Sequence, residues 1–487
     1  MTGLDPSSRS QSHCTGADGT LAQIIQGGMG IGVSGWELAR AVALTGQLGV
    51  VSGVALDTVL ARRLQSGDHD GSVRRALERF PLPAIAEQIV ENYFVAGGIA
   101  PDQPFRPTRR LRLAQRPNET AMTVAGNFVE IFLAKEGHTG MVGVNYLEKL
   151  QMATPPAALG AIMAGVDYVL MGAGIPAQIP KLLDDLSQGK PASVRVDVDG
   201  SPQGSIHELG VDPADYIASN TRLGRPRFLA VVASHVLAQF LARDPLTCPD
   251  GFVVETPIAG GHSAPPRGKT VLDDNGEPVY GERDLFDATA MKAIGLPFWL
   301  AGGYGSPEGL KSALGLGATG IQVGSAFALS KESGLQPDLR SYLIEEALEG
   351  RLHVRNDALA SSTGFPFKMA DVPSTVSNTD VYATRRRICD LGYLRVPYIR
   401  SDGNIGYRCA SEPVTAFARK GGKPQATIGR RCLCNGLLST IGLAQRRANG
   451  YVEPALVTLG QDLSFITKLA TPSHEYCAAD VVRYLLG

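Results

Sequence analysis

The predicted fold is decided by two glycine-rich stretches, Leu300-Ala-Gly-Gly-Tyr-Gly305 and Ala318-Thr-Gly-Ile-Gln-Val-Gly-Ser-Ala-Phe-Ala328. In each, a short apolar run typical of a strand ends in glycine, where backbone N–H groups are free to approach an anion. Residues 307–314, between the two stretches, have helical spacing. This order is the layout of the last two units of a parallel barrel, where phosphate groups commonly bind. The two stretches therefore predict a phosphate site, which a single glycine turn would not do.

Six more apolar runs precede these two and complete the predicted sheet. They alternate with segments of helical spacing, an order that indicates parallel strands covered by helices. With the strands at 297–301 and 320–324, the count reaches eight, which predicts a (β/α)8 TIM barrel over residues 21–335. The six earlier strands are predicted at residues 21–26, 48–53, 141–146, 167–174, 228–234 and 251–256.

Two segments lie outside this alternation. No strand is evident at about 57–139, where residues 72–80 and 85–94 have helical spacing, so a helical insertion is predicted after the second strand. Residues 193–200 alternate like one strand of a hairpin. Four arginines of the insertion form either a solvated face or a site for a charged carrier or phosphate. They are Arg106, Arg109, Arg110 and Arg112.

A dinucleotide-binding fold is the alternative at the first strand. Gly30-Ile-Gly-Val-Ser-Gly35 matches the G-x-G-x-x-G fingerprint, after a strand and before a helix. That fold also needs an acidic residue at the end of the next strand. The second strand ends instead in Ser52 and Gly53. The sequence therefore favours the barrel.

Composition limits the class of protein. The 487 residues carry a formal net charge of −1, so nucleic acid and anionic membranes are not expected as partners. No apolar run approaches about twenty residues, and so no transmembrane helix is predicted. Residues 1–20 are predicted to be a disordered tail without the features of a secretory signal. The seven cysteines suit thiols in a cytoplasmic protein better than an extracellular disulfide framework.

The glycine motifs resemble those of the nitronate monooxygenase family, also called 2-nitropropane dioxygenases. Ala301-Gly-Gly303 with Gly324-Ser325 is similar to the family's flavin-phosphate signature, and Gln26-Gly-Gly-Met29 is similar to the end of its first strand. The resemblance implies FMN as the cofactor. Asn145, at the end of the third strand, either touches the flavin or is a buried hydrogen-bonding side chain. The expected cofactor-binding residues are Gln26, Gly27, Gly28, Met29, Ser52, Asn145, Gly260, Gly261, Ala301, Gly302, Gly303, Gln322, Gly324 and Ser325.

His262 is the expected catalytic residue. It follows the sixth strand and a Gly-Gly turn, which places it over the mouth of the barrel, and an imidazole suits proton transfer near neutral pH. By resemblance it inherits the role of the family's catalytic base. The sequence departs from the family just before and after this motif, at Thr256-Pro-Ile-Ala259 and in the basic loop Pro265–Lys269. Arg267 and Lys269 belong to a solvated loop or hold an anionic group, and residues 271–284 are expected to form a lid.

Residues 336–487 form the expected accessory region. Four of its segments look like the longer branch of the family, which includes the trans-acting enoyl reductases of polyketide and polyunsaturated fatty acid synthases. These segments are residues 362–368, 389–395, 406–409 and 429–435. Four cysteines there are either ligands of a zinc or iron–sulfur site or buried free thiols. They are Cys389, Cys409, Cys432 and Cys434.

Three functions follow from these observations. The resemblance implies first an FMN-dependent oxidoreductase that oxidises nitroalkanes or nitronates with dioxygen. The alternative is a trans-acting enoyl reductase that uses NAD(P)H on acyl thioesters bound to acyl carrier protein. A flavin-binding subunit without turnover is the third. A small-molecule substrate is expected in the first two cases, and a homodimer is compatible with all three.

Overall fold

The computed structural model describes residues 21–218, 221–447, 449–471 and 473–487. The tail predicted at residues 1–20 therefore lies outside the described residues. Within the described chain, no helix has both the length and the apolar character needed to cross a membrane.

Eight parallel strands close into a barrel, and the predicted (β/α)8 fold is thereby confirmed. Around the barrel the strands follow the order β1, β2, β3, β4, β7, β8, β9, β10, and β10 pairs with β1. Their bounds are β1 Ile24–Gln26, β2 Leu48–Ser52, β3 Val142–Leu147, β4 Tyr168–Gly172, β7 Arg227–Val232, β8 Gly251–Glu255, β9 Phe298–Ala301 and β10 Gly320–Val323.

The barrel interior is packed with side chains, as expected for this fold. Its central cluster includes Ile25, Val50, Leu170 and Trp299, each almost fully buried. The Trp299 indole N–H donates to the Ala22 carbonyl over 2.8 Å, so the polar atom of this large core residue is satisfied. The filled interior leaves the carboxyl ends of the strands as the place for a site.

Six further strands form three hairpins outside the barrel. β5 (Ala192–Arg195) pairs antiparallel with β6 (Glu208–Val211), which confirms the hairpin predicted near residue 193. The other two hairpins belong to the region after residue 335. They consist of β11 (Val354–Asp357) with β12 (Phe367–Ala370), and of β13 (Val396–Ile399) with β14 (Ile405–Arg408).

Helices surround the barrel and fill the segment after β2. That segment carries α2 to α5, and the 19-residue helix α5 packs beside α6 on the barrel exterior. The helices are α1 Trp36–Ala43, α2 Leu56–Gln65, α3 Ser72–Leu77, α4 Pro83–Tyr93, α5 Pro117–Lys135, α6 Thr154–Met163, α7 Ile179–Ser187, α8 His235–Ala242, α9 Ala288–Ala293, α10 Pro307–Gly315, α11 Ser325–Ala328, α12 Pro337–Leu348, α13 Thr379–Thr384, α14 Val414–Arg419, α15 Leu433–Thr440, α16 Ile466–Leu469 and α17 Ala478–Leu486.

Candidate active site

A chamber lies at the carboxyl ends of β1, β8, β9 and β10; we call it the glycine chamber. It is where the sequence predicted a cofactor, and eleven of the fourteen expected residues line it. These are Gly27, Gly28, Met29, Gly260, Gly261, Ala301, Gly302, Gly303, Gln322, Gly324 and Ser325.

The other three expected residues support the first turn from behind. The Gln26 amide is fully buried and donates to the Ser34 hydroxyl over 2.9 Å. The Ser52 hydroxyl donates to the Gly30 carbonyl over 2.6 Å. The Asn145 side chain packs so closely on Gly28 that a Cβ there would lie 2.5 Å from the Asn145 Cβ. These contacts shape the turn instead of lining the chamber.

Glycine is needed after β9 for two reasons. Gly302 and Gly303 have φ values of 83° and 78°, a region that other residues adopt only with strain. A Cβ on Gly302 would also lie 2.3 Å from Thr256 Oγ1. The backbone can therefore come close to a bound group only because side chains are absent.

Free backbone donors mark one end of the chamber. Among the residues that the structure describes, none accepts a hydrogen bond from the N–H groups of Gly303, Gly324 or Ser325. Unpaired N–H groups beside water or a ligand, at a glycine turn and the start of a helix, favour an anion. The residues present therefore fit a phosphate group.

The accessory region completes this chamber, which the sequence did not predict. Residues 458–465, here called the closing segment, contribute Thr458, Leu459, Gly460, Asp462 and Phe465 to the lining. Gly261 N donates to Thr458 Oγ1 over 2.9 Å, and Gly460 N donates to Ser325 Oγ over 2.7 Å. The sequence signal for the closing segment was a glycine after the apolar run 455–459. Nothing in the sequence connected that glycine to the barrel.

A second chamber of about 270 Å³ adjoins the first; we call it the histidine chamber. Its lining includes His262, on the turn after β8 where the sequence placed it, and Phe365 from the accessory region. The His262 Nε2 lies 2.8 Å from Ser361 Oγ. Its ring meets the Phe367 ring edge-on, with 4.8 Å between centroids. The imidazole is thus fixed by residues about a hundred positions away in the chain.

Burial determines the charge of this histidine. Removal from water lowers the pKa of His262 to about 4, because the charged form loses its hydration. The imidazole is therefore neutral at pH 7 and able to accept a proton.

Glu255 is a second ionisable residue of the site, and the sequence analysis missed it. It is the last residue of β8 and lines both chambers. Burial raises the pKa of its carboxyl to about 7, an effect that the positive charge of Lys368 reduces. A single acidic residue at the end of the apolar run Gly251–Val254 was the signal that could have identified it.

Lys368 is a buried cation next to the loop that carries His262. It lies on β12 with no exposed surface. Its Nζ donates to the Pro257 carbonyl and, over 2.7 Å, to Ser263 Oγ. Burial lowers the pKa of this ammonium to about 8, and the charges of Glu255 and Glu277 oppose the shift. Lys368 therefore connects the two ends of the loop that carries His262.

The segment expected to form a lid lies against the histidine chamber. Tyr280 and Asp284 line the chamber, and the Tyr280 hydroxyl donates to the Ala264 carbonyl over 2.9 Å. Glu277 accepts from Asn356 N over 2.9 Å, which attaches the segment to β11. Arg267 also lines the chamber, whereas Lys269 does not.

The arginines of the insertion are away from both chambers. Arg106 and Arg110 donate to the Asn92 and Asp390 carbonyls over 2.6 and 2.7 Å. Arg112 pairs with Glu119 at 3.1 Å. None of the four arginines lines either chamber. The described contacts make three of them structural.

The expectation of a metal site is not borne out. Cys389, Cys409, Cys432 and Cys434 do line one small cavity. However, no group of three or more His, Cys, Asp or Glu side chains in the described ranges is arranged to hold a metal ion. A hydrogen bond between Cys389 and Cys409 lowers the pKa of Cys409, and burial raises the pKa values of Cys432 and Cys434. Free cysteines, three of them buried, are the alternative that the structure supports.

Comparison with known proteins identifies relatives of part of the chain. Residues 187–357 match the family model described as nitronate monooxygenase. A probable nitronate monooxygenase of Bacillus subtilis (strain 168) is 38% identical over 96 residues, which are 20% of this chain and 26% of the relative. The (3aS,4S,5R,7aS)-5-hydroxy-7a-methyl-1-oxo-octahydro-1H-indene-4-carboxyl-CoA dehydrogenase of Mycobacterium tuberculosis (strain ATCC 25618 / H37Rv) is 24% identical over 196 residues, 37% of this chain and 52% of the relative.

Among solved structures, FabK from Thermotoga maritima has a TM-score of 0.47 and 15% identity, over 96% of this chain and 92% of that one. The match over residues 187–357 confirms the family resemblance expected from the sequence for that part of the chain. The matched part contains His262, Gly302, Gly303, Gly324 and Ser325. The curated relatives are thus matched over only about a quarter and about half of their lengths.

Proposed function

We propose that the protein is an FMN-dependent oxidoreductase that oxidises nitroalkanes or nitronates with dioxygen. The observation that carries this proposal is the pair of adjoining chambers, one with free backbone donors for a phosphate and one with a neutral His262. The match to the nitronate monooxygenase family over residues 187–357 supports it.

The residues of the glycine chamber would hold FMN. The N–H groups of Gly303, Gly324 and Ser325 would bind the phosphate, and the remaining lining would contact the rest of the cofactor. When bound, FMN supplies the electron acceptor for the substrate and reacts with dioxygen. The closing segment and the filled barrel interior keep water out.

His262 has the proton-transfer role in this proposal. A neutral nitroalkane must lose a proton from carbon before it can be oxidised as a nitronate. The neutral imidazole accepts that proton, and Ser361 and Phe367 hold the ring in place. Because the imidazole is charged only below its pKa of about 4, its base function should fail only below that pH.

Two substrates test the role of His262. His262→Ala should lower turnover of a neutral nitroalkane by about a hundredfold to ten thousandfold, the usual contribution of a general base. Turnover of the preformed nitronate, from which no proton is removed, should change little. Flavin absorbance should remain at the wild-type level. The matched control is His353→Ala, since the His353 side chain is 66% exposed and outside both chambers.

Two results would argue against this assignment. Equal losses with both substrates would mean that His262 orients the substrate and does not remove a proton. Wild-type protein that turns over neither compound would exclude the proposed activity itself.

Enoyl-thioester reduction is the second candidate, and one comparison favours it. The Mycobacterium tuberculosis relative acts, by its name, on a carboxyl-CoA compound. In this case NAD(P)H would be the reductant and an acyl carrier protein the partner. Consumption of NAD(P)H with an enoyl thioester, by wild-type protein inactive towards nitroalkane and nitronate, would establish the second candidate in place of the first.

A further inference from the structure

Glu255 has a position that the role of His262 does not explain. The three residues before it, Phe252–Val254, are buried in the barrel wall. Glu255 ends the strand, and this residue lines both chambers. A carboxyl group here belongs to both the chamber proposed for the cofactor and the chamber proposed for the substrate.

In the described part of the chain, the Glu255 carboxyl group forms no structural hydrogen bond. Among the described residues, none donates a hydrogen bond to its oxygens, and Lys368 is the one charge that acts on it noticeably. Lys368 itself is held by Pro257 and Ser263. A carboxyl group that served only to support the loop would be bonded to it, as buried polar groups normally are.

The other ionisable groups around the site are few. Asp462 and Tyr304 line the glycine chamber, and Glu277 acts on Lys368 from the lid segment. The histidine chamber adds Arg267, Tyr280 and Asp284 besides His262. Arg267 is exposed and Asp284 is half-buried, so contact with solvent weakens their charge effects on Glu255.

The proposed reaction leaves a proton on His262 in an unfavourable place. A protonated imidazole whose pKa is about 4 gives up its proton readily at neutral pH, because burial penalises its charge. A carboxylate with a pKa of about 7 binds the same proton more tightly. The Glu255 carboxylate is therefore the favoured destination within the same chamber.

We propose that Glu255 is the terminal proton acceptor of the substrate chamber and that Lys368 is the residue that positions its charge. The inference rests on the proposed function. The substrate C–H bond breaks and an N–H bond forms on His262; that N–H bond then breaks and an O–H bond forms on Glu255, directly or through a water. The electron pair of the C–H bond stays on the nitronate. One negative charge moves from Glu255 to the substrate, and the net charge of the chamber does not change.

Glu255→Gln tests this inference, since glutamine keeps the shape and cannot take up the proton. Turnover of a nitroalkane should fall by about a hundredfold at neutral pH, while turnover of the preformed nitronate and flavin content stay unchanged. Glu255→Asp, which keeps a carboxyl, should recover part of the activity. Glu345→Gln, a change at an exposed residue of α12 outside both chambers, is the control and should have no effect.

The pH profile separates a proton acceptor from a structural residue. In wild-type protein, kcat/KM for the nitroalkane should rise with pH through about 7 as Glu255 loses its proton. In Glu255→Gln this rise should be absent, and only the fall near pH 4 that belongs to His262 should remain. A rise near pH 7 that persists in Glu255→Gln would overturn the inference.

Infrared difference spectroscopy gives a readout that does not depend on turnover. Adding a nitroalkane without oxygen at pH 8 should increase the protonated-carboxyl band in wild-type protein and not in Glu255→Gln. Active wild-type protein that lacks this increase, or equal losses with nitroalkane and nitronate in Glu255→Gln, would overturn the inference alone. Wild-type protein inactive with both compounds would overturn the proposed function and the inference with it.

Discussion

His262 shows what a sequence reveals about a single residue and what it does not. The position at the end of the sixth barrel strand followed from the alternation of strands and helices, and the structure places the residue there. An ordinary imidazole would titrate near pH 6 to 7. The pKa of about 4 arises from burial, to which Phe367 and Ser361 contribute from about one hundred residues later in the chain. No local sequence pattern reports this burial. For the same reason, the sequence did not identify Glu255 as a residue of the site.

At the residue scale, Gly303→Ala should weaken FMN binding by at least about tenfold. The new Cβ would lie 2.8 Å from Ile258 Cδ1, and the φ of 78° would become strained. Both effects displace the N–H group proposed to bind phosphate. Flavin fluorescence on titration with FMN measures the loss.

Gly350→Ala is the matched control for this change. Gly350 has a similar φ of 69°, but nothing lies within 4 Å of the added Cβ. Both variants should lose about 1 kcal/mol of stability from backbone strain, and only Gly303→Ala should lose FMN. Equal flavin binding in the two variants would contradict the assignment of the phosphate site.

At the scale of elements, the strand and helix pattern was largely predictable. Each barrel strand is a short apolar run that ends in a turn. The hydrophobic period and the length of these runs were therefore enough to locate all eight strands. The closing segment was different. It contains no helix or strand, since α16 starts after it at Ile466, and its partners Gly261 and Ser325 lie more than 130 residues away. Such contacts depend on tertiary packing, which periodicity does not describe.

Gly460→Val tests the closing segment. The added side chain would begin 3.2 Å from Ser325 Oγ and from the Ile258 carbonyl, so the segment must move away from the barrel. We expect weaker FMN retention on gel filtration, with turnover restored by added FMN. Gly224→Val, where nothing lies within 4 Å of the new Cβ, should retain FMN like the wild type. Unchanged retention in Gly460→Val would show that the segment does not close the chamber.

At the scale of the whole molecule, the barrel and the region after residue 335 share one hydrophobic core. A single cluster of buried side chains extends from Leu38 and Leu183 to Leu438 and Val481. The predicted boundary between the barrel and the accessory region lies at about residue 335, where the barrel pattern ends. It remains a proposal about domains, because sequence periodicity cannot show how much surface two regions bury against each other.

A buried tyrosine, Tyr393, connects the region after residue 335 to helix α2. The Tyr393 hydroxyl bonds to Asp57 and, over 2.6 Å, to Thr58 on α2. Burial raises the pKa of Asp57. Tyr393→Phe should therefore lower the free energy of unfolding by about 1–3 kcal/mol, since a buried carboxyl loses its donor. Thermal unfolding should still show a single transition.

Tyr342→Phe provides the control, because Tyr342 lies on the partly exposed helix α12 and the described contacts give its hydroxyl no hydrogen bond. Its unfolding temperature should match that of the wild type. Two separate transitions in either protein would contradict a shared core.

The closing segment also has a consequence for how the protein is made. Synthesis runs from the N-terminus at about 5–20 residues per second, so all eight barrel strands leave the ribosome before Thr458 and Gly460 are polymerised. Until then, Gly261 N and Ser325 Oγ lack the partners that cover the glycine chamber. Under the proposed function, a nascent chain that ends before the closing segment cannot retain FMN, and loading of the cofactor follows synthesis of that segment.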